Sequence, residues 1–341
     1  MSGTSIRYIT YRQSHHSPHS GYDRLAQFSG EIIQARPLSH GLVRNRLMWW
    51  IANGVIAYDR TALATEIKAA WHMLKDNRAI YHILYGENTY HYLGWLNNVK
   101  HNRLVATFHL PPGALREMVR IDWHLRRLSA IVCVGRTQIE HFSRILSPER
   151  VFFVPHGIDT DFFSPPVNFE ERDPNLCLFV GSYLRDFPTL RGVIELVAYR
   201  RPQVRFVAVT SPQNYDRIGK HPNLILKSAV SEEDLLSLYR RAAVFIIPML
   251  DATGNNALLE GLACGLPIVI SDVGSVRDYA SEESAVLVPA QDARRMADEV
   301  EALLDDPGRR EALSVKAREQ ALRFSWPEIF RQMQNVYDRI G

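Results

Sequence analysis

Gly254, Asn255 and Asn256 open an apolar, helix-forming run, Ala257-Leu258-Leu259-Glu260-Gly261-Leu262-Ala263, which Gly265 and Pro267 close. Glycine tolerates unusual backbone angles and asparagine is a good N-cap, so the segment predicts a helix whose first backbone N–H groups lack partners. Such an end attracts an anion, phosphate above all. Glu260 falls about one and a half turns further in, where its carboxylate reaches a ligand hydroxyl while the amides of Asn255, Asn256 and Ala257 hold the phosphate. His109 is the second residue placed for chemistry. It ends the strand-like run at residues 103–108 and precedes Pro111 and Pro112, and the carboxyl end of a parallel strand faces the crevice where ligands bind in such sheets.

The elements that position these residues alternate. Residues 243–247 (Ala-Val-Phe-Ile-Ile) and 268–271 (Ile-Val-Ile-Ser) read as buried strands on either side of the Glu260 helix. Further strands are predicted at residues 5–11, 79–85, 129–134 and 150–154 in the first half, and at 176–180, 204–210, 223–227 and 282–289 in the second. Helix-like segments lie between them. The pattern predicts an α/β protein with two Rossmann-like, doubly wound parallel-sheet domains facing a cleft. Ser164-Pro165-Pro166 and Glu170-Glu171-Arg172-Asp173-Pro174 form a polar, proline-rich linker, which sets domains at 1–165 and 166–323. Ser325 and Pro327 start a closing helix at 324–341.

A chain of 341 residues with 46% hydrophobic and 23% charged residues has the composition of a globular protein with two cores. No apolar run reaches the roughly 18 residues of a membrane span. Cys133, Cys177 and Cys264 show neither disulfide nor zinc spacing, which fits a reducing cytoplasm. His15, His16 and His19 cluster in a loop, but without an i, i+4 pair or a fourth ligand they read as solvated histidines rather than a metal site. Charge is divided unevenly: residues 1–150 hold 19 basic against 10 acidic side chains, residues 151–341 hold 21 against 27. The basic half suggests an anionic partner, a membrane surface or a phosphate-bearing acceptor; no nucleic-acid motif is present. Residues 36–58 combine Arg36, His40, Arg44 and Arg46 with Trp49 and Trp50, which suits either peripheral contact at the inner face of a membrane or a helix whose aromatic side packs on the domain.

The segment with Glu260, Ala263, Cys264, Gly265 and Pro267 resembles the donor site of glycosyltransferase family 4, the group 1 glycosyl transferases, retaining enzymes of GT-B fold. Pro155-His156-Gly157-Ile158-Asp159 is similar to the family's interdomain sequence. The resemblance is strong over residues 150–341 and looser before. It implies a metal-independent, cofactor-free hexosyltransferase that uses a nucleotide diphosphate sugar and a glycan, lipid-linked or small-molecule acceptor. Gly21 matches the glycine after the first strand, near donor phosphate, and His109 the family's functional histidine. Gly181 matches the glycine of the second domain's first turn. The family's Arg after that glycine is Ser182 here, leaving Arg185 as the diphosphate's cation, with Arg136 either a further phosphate contact or a surface residue. Val230 flanks the nucleotide base, and Glu260 meets the ribose.

The family's first donor-site Glu is Ala252 in this chain. Asp251 or Asn255 is then left to approach the transferred sugar. This departure keeps open a non-catalytic nucleotide-sugar binding protein, and a nucleotide-sugar epimerase of the same architecture also fits. A nicotinamide oxidoreductase is disfavoured, because neither domain's first strand runs into G-x-G-x-x-G. Hydrolysis is disfavoured because no pair of carboxylates stands out.

Overall fold

Strands buried on both faces read as near-continuous apolar runs, and here they form two all-parallel sheets. The structure, a computed structural model, describes residues 5–10, 19–39 and 45–341. His15, His16, His40 and Arg44 lie outside the described residues. Two units are distinguished, Met1–His156 with Pro327–Gly341, and Gly157–Trp326.

In the first unit the strands are β1 (Ile6–Ile9), β2 (Glu31–Ile33), β3 (Ile80–Ile83), β4 (Arg103–Phe108), β5 (Ala130–Cys133) and β6 (Val151–Phe153), in the order β2-β1-β3-β4-β5-β6. The sheet order reverses between β1 and β3, which pair with Ile6 opposite Ile80 and Ile9 opposite Ile83. Around it lie α1 (Asn45–Ala52), α2 (Arg60–Lys75), the short α3 (Gly86–Thr89), α4 (Pro112–Met118) and α5 (Thr137–Ser143). Asp59 caps α2 by accepting from the amides of Thr61 and Ala62. Ile9, Tyr81, Ile83, Phe108, Ile131 and Phe142 lie in the core. The last helix packs here through polar contacts as well: Tyr337 Oη lies 2.7 Å from His82 Nδ1, and Thr107 Oγ1 lies 2.7 Å from His82 Nε2. Burial holds that imidazole down at about 3, so it stays neutral.

The second unit contains β7 (Asp173–Val180), α6 (Phe187–Arg200), β8 (Arg205–Val209), α7 (Tyr215–Ile218), β9 (Leu224–Lys227), α8 (Glu232–Arg241), β10 (Ala242–Ile247), α9 (Asn256–Ala263), β11 (Ile268–Ser271), β12 (Val286–Val288), α10 (Ala293–Asp305) and α11 (Pro307–Leu322). After it the chain ends in α12 (Trp326–Ile340), the closing helix. The sheet order is β12-β11-β10-β7-β8-β9, reversing between β7 and β10. Arg172 is 6% exposed and binds the carboxyl ends of two helices at once. Its guanidinium donates to the carbonyls of Tyr239, Arg240 and Ala242 behind α8, and to those of Cys264 and Gly265 behind α9. Arg318 adds a bond of 2.8 Å to the carbonyl of Ala263. Cations there complement the helix dipoles.

The division between the units falls at His156/Gly157, earlier than residue 165, because the intervening segment packs on the second unit. Arg318 donates to the carbonyls of Thr160 and Phe163, and Arg240 to Ser164. In α1, Trp49 and Trp50 are 78% and 75% exposed, which overturns the reading that their side packs on the domain, whereas Met48 is buried.

Candidate functional site

At the β7/β10 reversal two loops are laced together. Asp186 N–H donates to the carbonyl of Pro248, Leu250 N–H to that of Leu184, and Arg185 bridges Met249. The lacing holds Leu184 at a φ of 54°, a left-handed conformation that costs a non-glycine residue about 1–2 kcal/mol. Arg185 is 6% exposed. It donates to the carbonyls of Val180 and Tyr183, to Met249 Sδ and, at 3.4 Å, to Asn255 Oδ1. Among the described residues no carboxylate forms an ion pair with it. Burial pulls its guanidinium down to about 10, which leaves it charged at neutral pH. Gly181 makes room for it: its φ is 120°, and a Cβ there would lie 2.3 Å from Arg185 Nη2.

Asn255 is the N-cap of α9 and accepts from Leu258 N–H, so the sequence reading of the helix start holds. The amides of Asn256 and Ala257 follow in the first turn, where a helix supplies no acceptor of its own. Gly254 immediately precedes the cap. The buried cation, the cap and these amides therefore converge at one reversal point of a parallel sheet, where ligands bind in open α/β folds.

Glu260 is 5% exposed, and its Oε2 accepts from Tyr239 Oη at 2.8 Å. Burial pushes this carboxyl up to about 7, against the opposing effects of Tyr239 and Arg185. Val230 sits between β9 and α8, half-buried, one residue before Ser231, whose Oγ caps α8. Asp251 is half-buried and Oδ1 accepts from its neighbour Ala252 N–H at 2.8 Å, while Ala252 is 3% exposed.

Gly21 and His109 belong to the first unit, and the structure brings them together through Tyr22. The Tyr22 ring meets His109 edge-on at 4.8 Å, and Tyr22 N–H donates to Tyr85 Oη at 3.0 Å. Tyr85 also packs on His109, at 5.0 Å, and His156 lies 5.9 Å from it. His109 Nε2 faces the carbonyl of Leu84 at 2.8 Å; a carbonyl only accepts, so Nε2 carries the proton. Tyr22, Tyr85 and Glu87 were not singled out from sequence. The strand-end argument applied to His109 applies equally to Glu87, four residues past β3. Arg136 is exposed and lies over the ring of Phe153 at 4.3 Å.

Among the described residues no group of three or more His, Cys, Asp or Glu is placed to hold a metal ion, and no helix is long and apolar enough to cross a membrane. All three cysteines are free and buried.

Residues 174–306 match the model of the family described as Glycosyl transferases group 1. The second unit carries a group 1 glycosyl transferase domain. Its α9 and all of β7 but Asp173, with Gly181, Arg185 and Glu260, lie inside the matched range. A D-inositol 3-phosphate glycosyltransferase of Xylanimonas cellulosilytica is 29% identical over 238 residues, covering 61% of this chain and 56% of that protein. An MMP alpha-(1->4)-mannosyltransferase of Mycolicibacterium hassiacum is 28% identical over 208 residues, covering 57% and 49%. The chain thus spans about half the length of these curated relatives. Sucrose-phosphate synthase from Thermosynechococcus elongatus covers 99% of each chain with a TM-score of 0.72 and 18% identity. Anabaena Alr3699/HepE in complex with UDP covers 98% of this chain and 100% of its own, with a TM-score of 0.70 and 13% identity. These likenesses establish the GT-B fold that the sequence implied.

Proposed function

We propose that the protein transfers a hexosyl group from a nucleotide diphosphate sugar to a hydroxyl of a glycan, lipid-linked or small-molecule acceptor, with retention and without a metal ion. The observation that carries this reading is Arg185, a buried cation with no carboxylate paired to it among the described residues, set beside Gly181 and the amino end of α9. A diphosphate supplies the negative charge that arrangement lacks. As the bond to the sugar breaks, charge grows on the departing diphosphate, and fixed donors aimed at it stabilise the transition state without reorganising. Arg185 and the amides of Asn256 and Ala257 take that role. Glu260, released from Tyr239, accepts from a ribose hydroxyl, and Val230 borders the base. His109 serves the sugar or acceptor from the first unit, with Gly21 beside it, and Asp251 is the carboxylate nearest in sequence to the place that Ala252 leaves empty. The relatives' names support glycosyl transfer, and the UDP-bound neighbour supports the class of donor.

Thermal shift against UDP, GDP, ADP and their sugar conjugates, with and without EDTA, tests this. A ligand at about 100 times its dissociation constant adds about 2.7 kcal/mol to stability. The expected result is a shift by one nucleotide sugar that survives EDTA and is lost in Glu260→Ala. No shift with any nucleotide removes the reading. A shift without turnover favours the non-catalytic alternative that Ala252 leaves open.

Exposed Trp49 and Trp50, beside Arg46 on α1, favour a second property, peripheral contact with an anionic membrane. Salt-sensitive binding to phosphatidylglycerol vesicles, lost in Trp49→Ala/Trp50→Ala, is the expected result; no binding at low salt removes it.

A further inference from the structure

The helix α1 is apolar on two sides. Met48 is buried over a small cluster with Val55, Tyr58 and Ala62, separate from the main core of the first unit, while Leu47, Trp49 and Trp50 are exposed. Asn53 and Gly54 end the helix in left-handed conformations, with φ of 31° and 85°. Beyond them the chain is stitched to the segment after α4. Ile56 N–H donates to the carbonyl of Met118 at 2.9 Å, and Arg120 N–H to that of Gly54 at 2.8 Å. Bounded by α1 and this stitched pair is a cavity of about 850 Å³, the size of a small-molecule site. Trp49, Trp50, Val55, Ile56 and Tyr58 line it, together with Arg60 and Arg120. Arg120 is exposed, and its side chain makes no hydrogen bond or ion pair among the described residues. Asp59, the acid of the lining, spends its Oδ1 on capping α2. Arg120 also lines a second cavity, of about 540 Å³, which reaches Phe108, the residue before His109.

The chemistry of these walls selects among ligands. Ile56, exposed at 59%, and the nearby Leu47 form no hydrogen bonds and offer no flat face to a sugar ring. With the two tryptophans they suit a hydrocarbon chain. An unpaired guanidinium at the same cavity suits phosphate, which it meets through two parallel N–H donors. We propose that this cavity binds one phosphate-bearing lipid, its hydrocarbon chain along Trp49, Trp50 and Ile56 and its phosphate on Arg120. Adsorption to a bilayer needs only exposed rings and diffuse charge, whereas a walled cavity with an unpaired cation takes up a single molecule. The site also narrows the acceptor of the transfer reading to the lipid-linked class, and on that point it rests on that reading.

Calorimetry on the full chain compares wild type, Arg120→Gln and Trp49→Ala/Trp50→Ala against dodecyl phosphate, dodecyl maltoside and inorganic phosphate, the amphiphiles kept below micelle formation. Circular dichroism checks that each variant folds. Dodecyl phosphate is expected to bind the wild type at least about 10-fold more tightly than either of the others, and Arg120→Gln to remove about 10-fold of that affinity, as for a hydrogen bond to a charged group. Dodecyl maltoside should be indifferent to Arg120→Gln, while the tryptophan pair weakens both amphiphiles. Inorganic phosphate binding as tightly as dodecyl phosphate overturns the proposal in favour of a free-phosphate site. Dodecyl maltoside binding as tightly overturns it in favour of an apolar patch, and so does Arg120→Gln equal to wild type. Binding to phosphatidylglycerol vesicles without binding to dodecyl phosphate leaves bilayer adsorption alone and overturns it too. Affinity for UDP and GDP is expected to be the same in Arg120→Gln as in wild type. Absence of nucleotide binding in the wild type removes the acceptor role together with the transfer reading, while the dodecyl phosphate titrations still decide the site.

Discussion

The two reversal points share a topology and differ in chemistry. At β7/β10 the buried ionisable group is a cation, Arg185, among carbonyls, a thioether and an asparagine; at β1/β3 it is a carboxyl, Glu87, beside the His109 amide. The net charge of each half runs the other way: the half with the buried acid is basic, with 19 cations against 10 acids, and the half with the buried cation is acidic. The same topology therefore carries opposite buried groups, set by one or two loop residues at each reversal point. Surface charge reports neither.

The sharpest way to break the contrast is Arg185→Ala. Nucleotide diphosphate affinity is expected to fall about 100-fold, the worth of a buried charge-assisted contact near 3 kcal/mol, whereas Arg185→Lys retains part of it with the bidentate geometry lost. Calorimetry with UDP and GDP that finds Arg185→Ala equal to wild type would show that the second reversal point is no anion site. Gly181→Ala comes next. With φ at 120° and a Cβ 2.3 Å from the guanidinium, it is expected to cost about 1–3 kcal/mol in urea unfolding and to weaken nucleotide binding by displacing Arg185. Stability and affinity both unchanged would mean the cation need not sit where it does.

A smaller effect reads Glu260 through pH. Its carboxyl titrates at about 7 in the folded protein against an ordinary 4.5, so the unfolded chain releases the proton first. This group therefore makes stability fall as pH rises from about 4.5 to about 7, then leaves a constant penalty above. Glu260→Gln should flatten that part of the urea midpoint-versus-pH curve, and a curve that keeps its slope would remove the assignment. The smallest effect is expected from Trp49→Ala/Trp50→Ala, within about 0.5 kcal/mol of wild-type stability because both rings are exposed. A larger loss would mean that the pair supports the fold rather than a surface contact.

Most strands were legible because burial on both faces leaves uninterrupted apolar runs, as in residues 243–247 and 268–271. β2 was not read: it has three residues, two of them exposed, and so carries no apolar run. α11 was hidden by its many charged residues, since its buried positions include Arg310, Ala317 and Ala321 alongside Leu313. The cap at Asn255 followed from local chemistry alone. Arg185 was singled out through the family resemblance, as the nearest cation where the family's Arg is Ser182, but its depth was not visible, because a buried arginine is rare and depends on loops that meet only in three dimensions. Glu87 was passed over as part of a connection between strands for the same reason.

Arg172 gives the molecule a common fulcrum. The helices whose carboxyl ends it grips, α8 and α9, are 10 and 8 residues long, and their opposite ends begin beside Val230 and at Asn255. Each is a rigid arm of roughly 12–15 Å at 1.5 Å per residue. A small shift at the shared pivot is thus carried to both tips together, so the distance between Val230 and Asn255 is gauged by a side chain that touches neither.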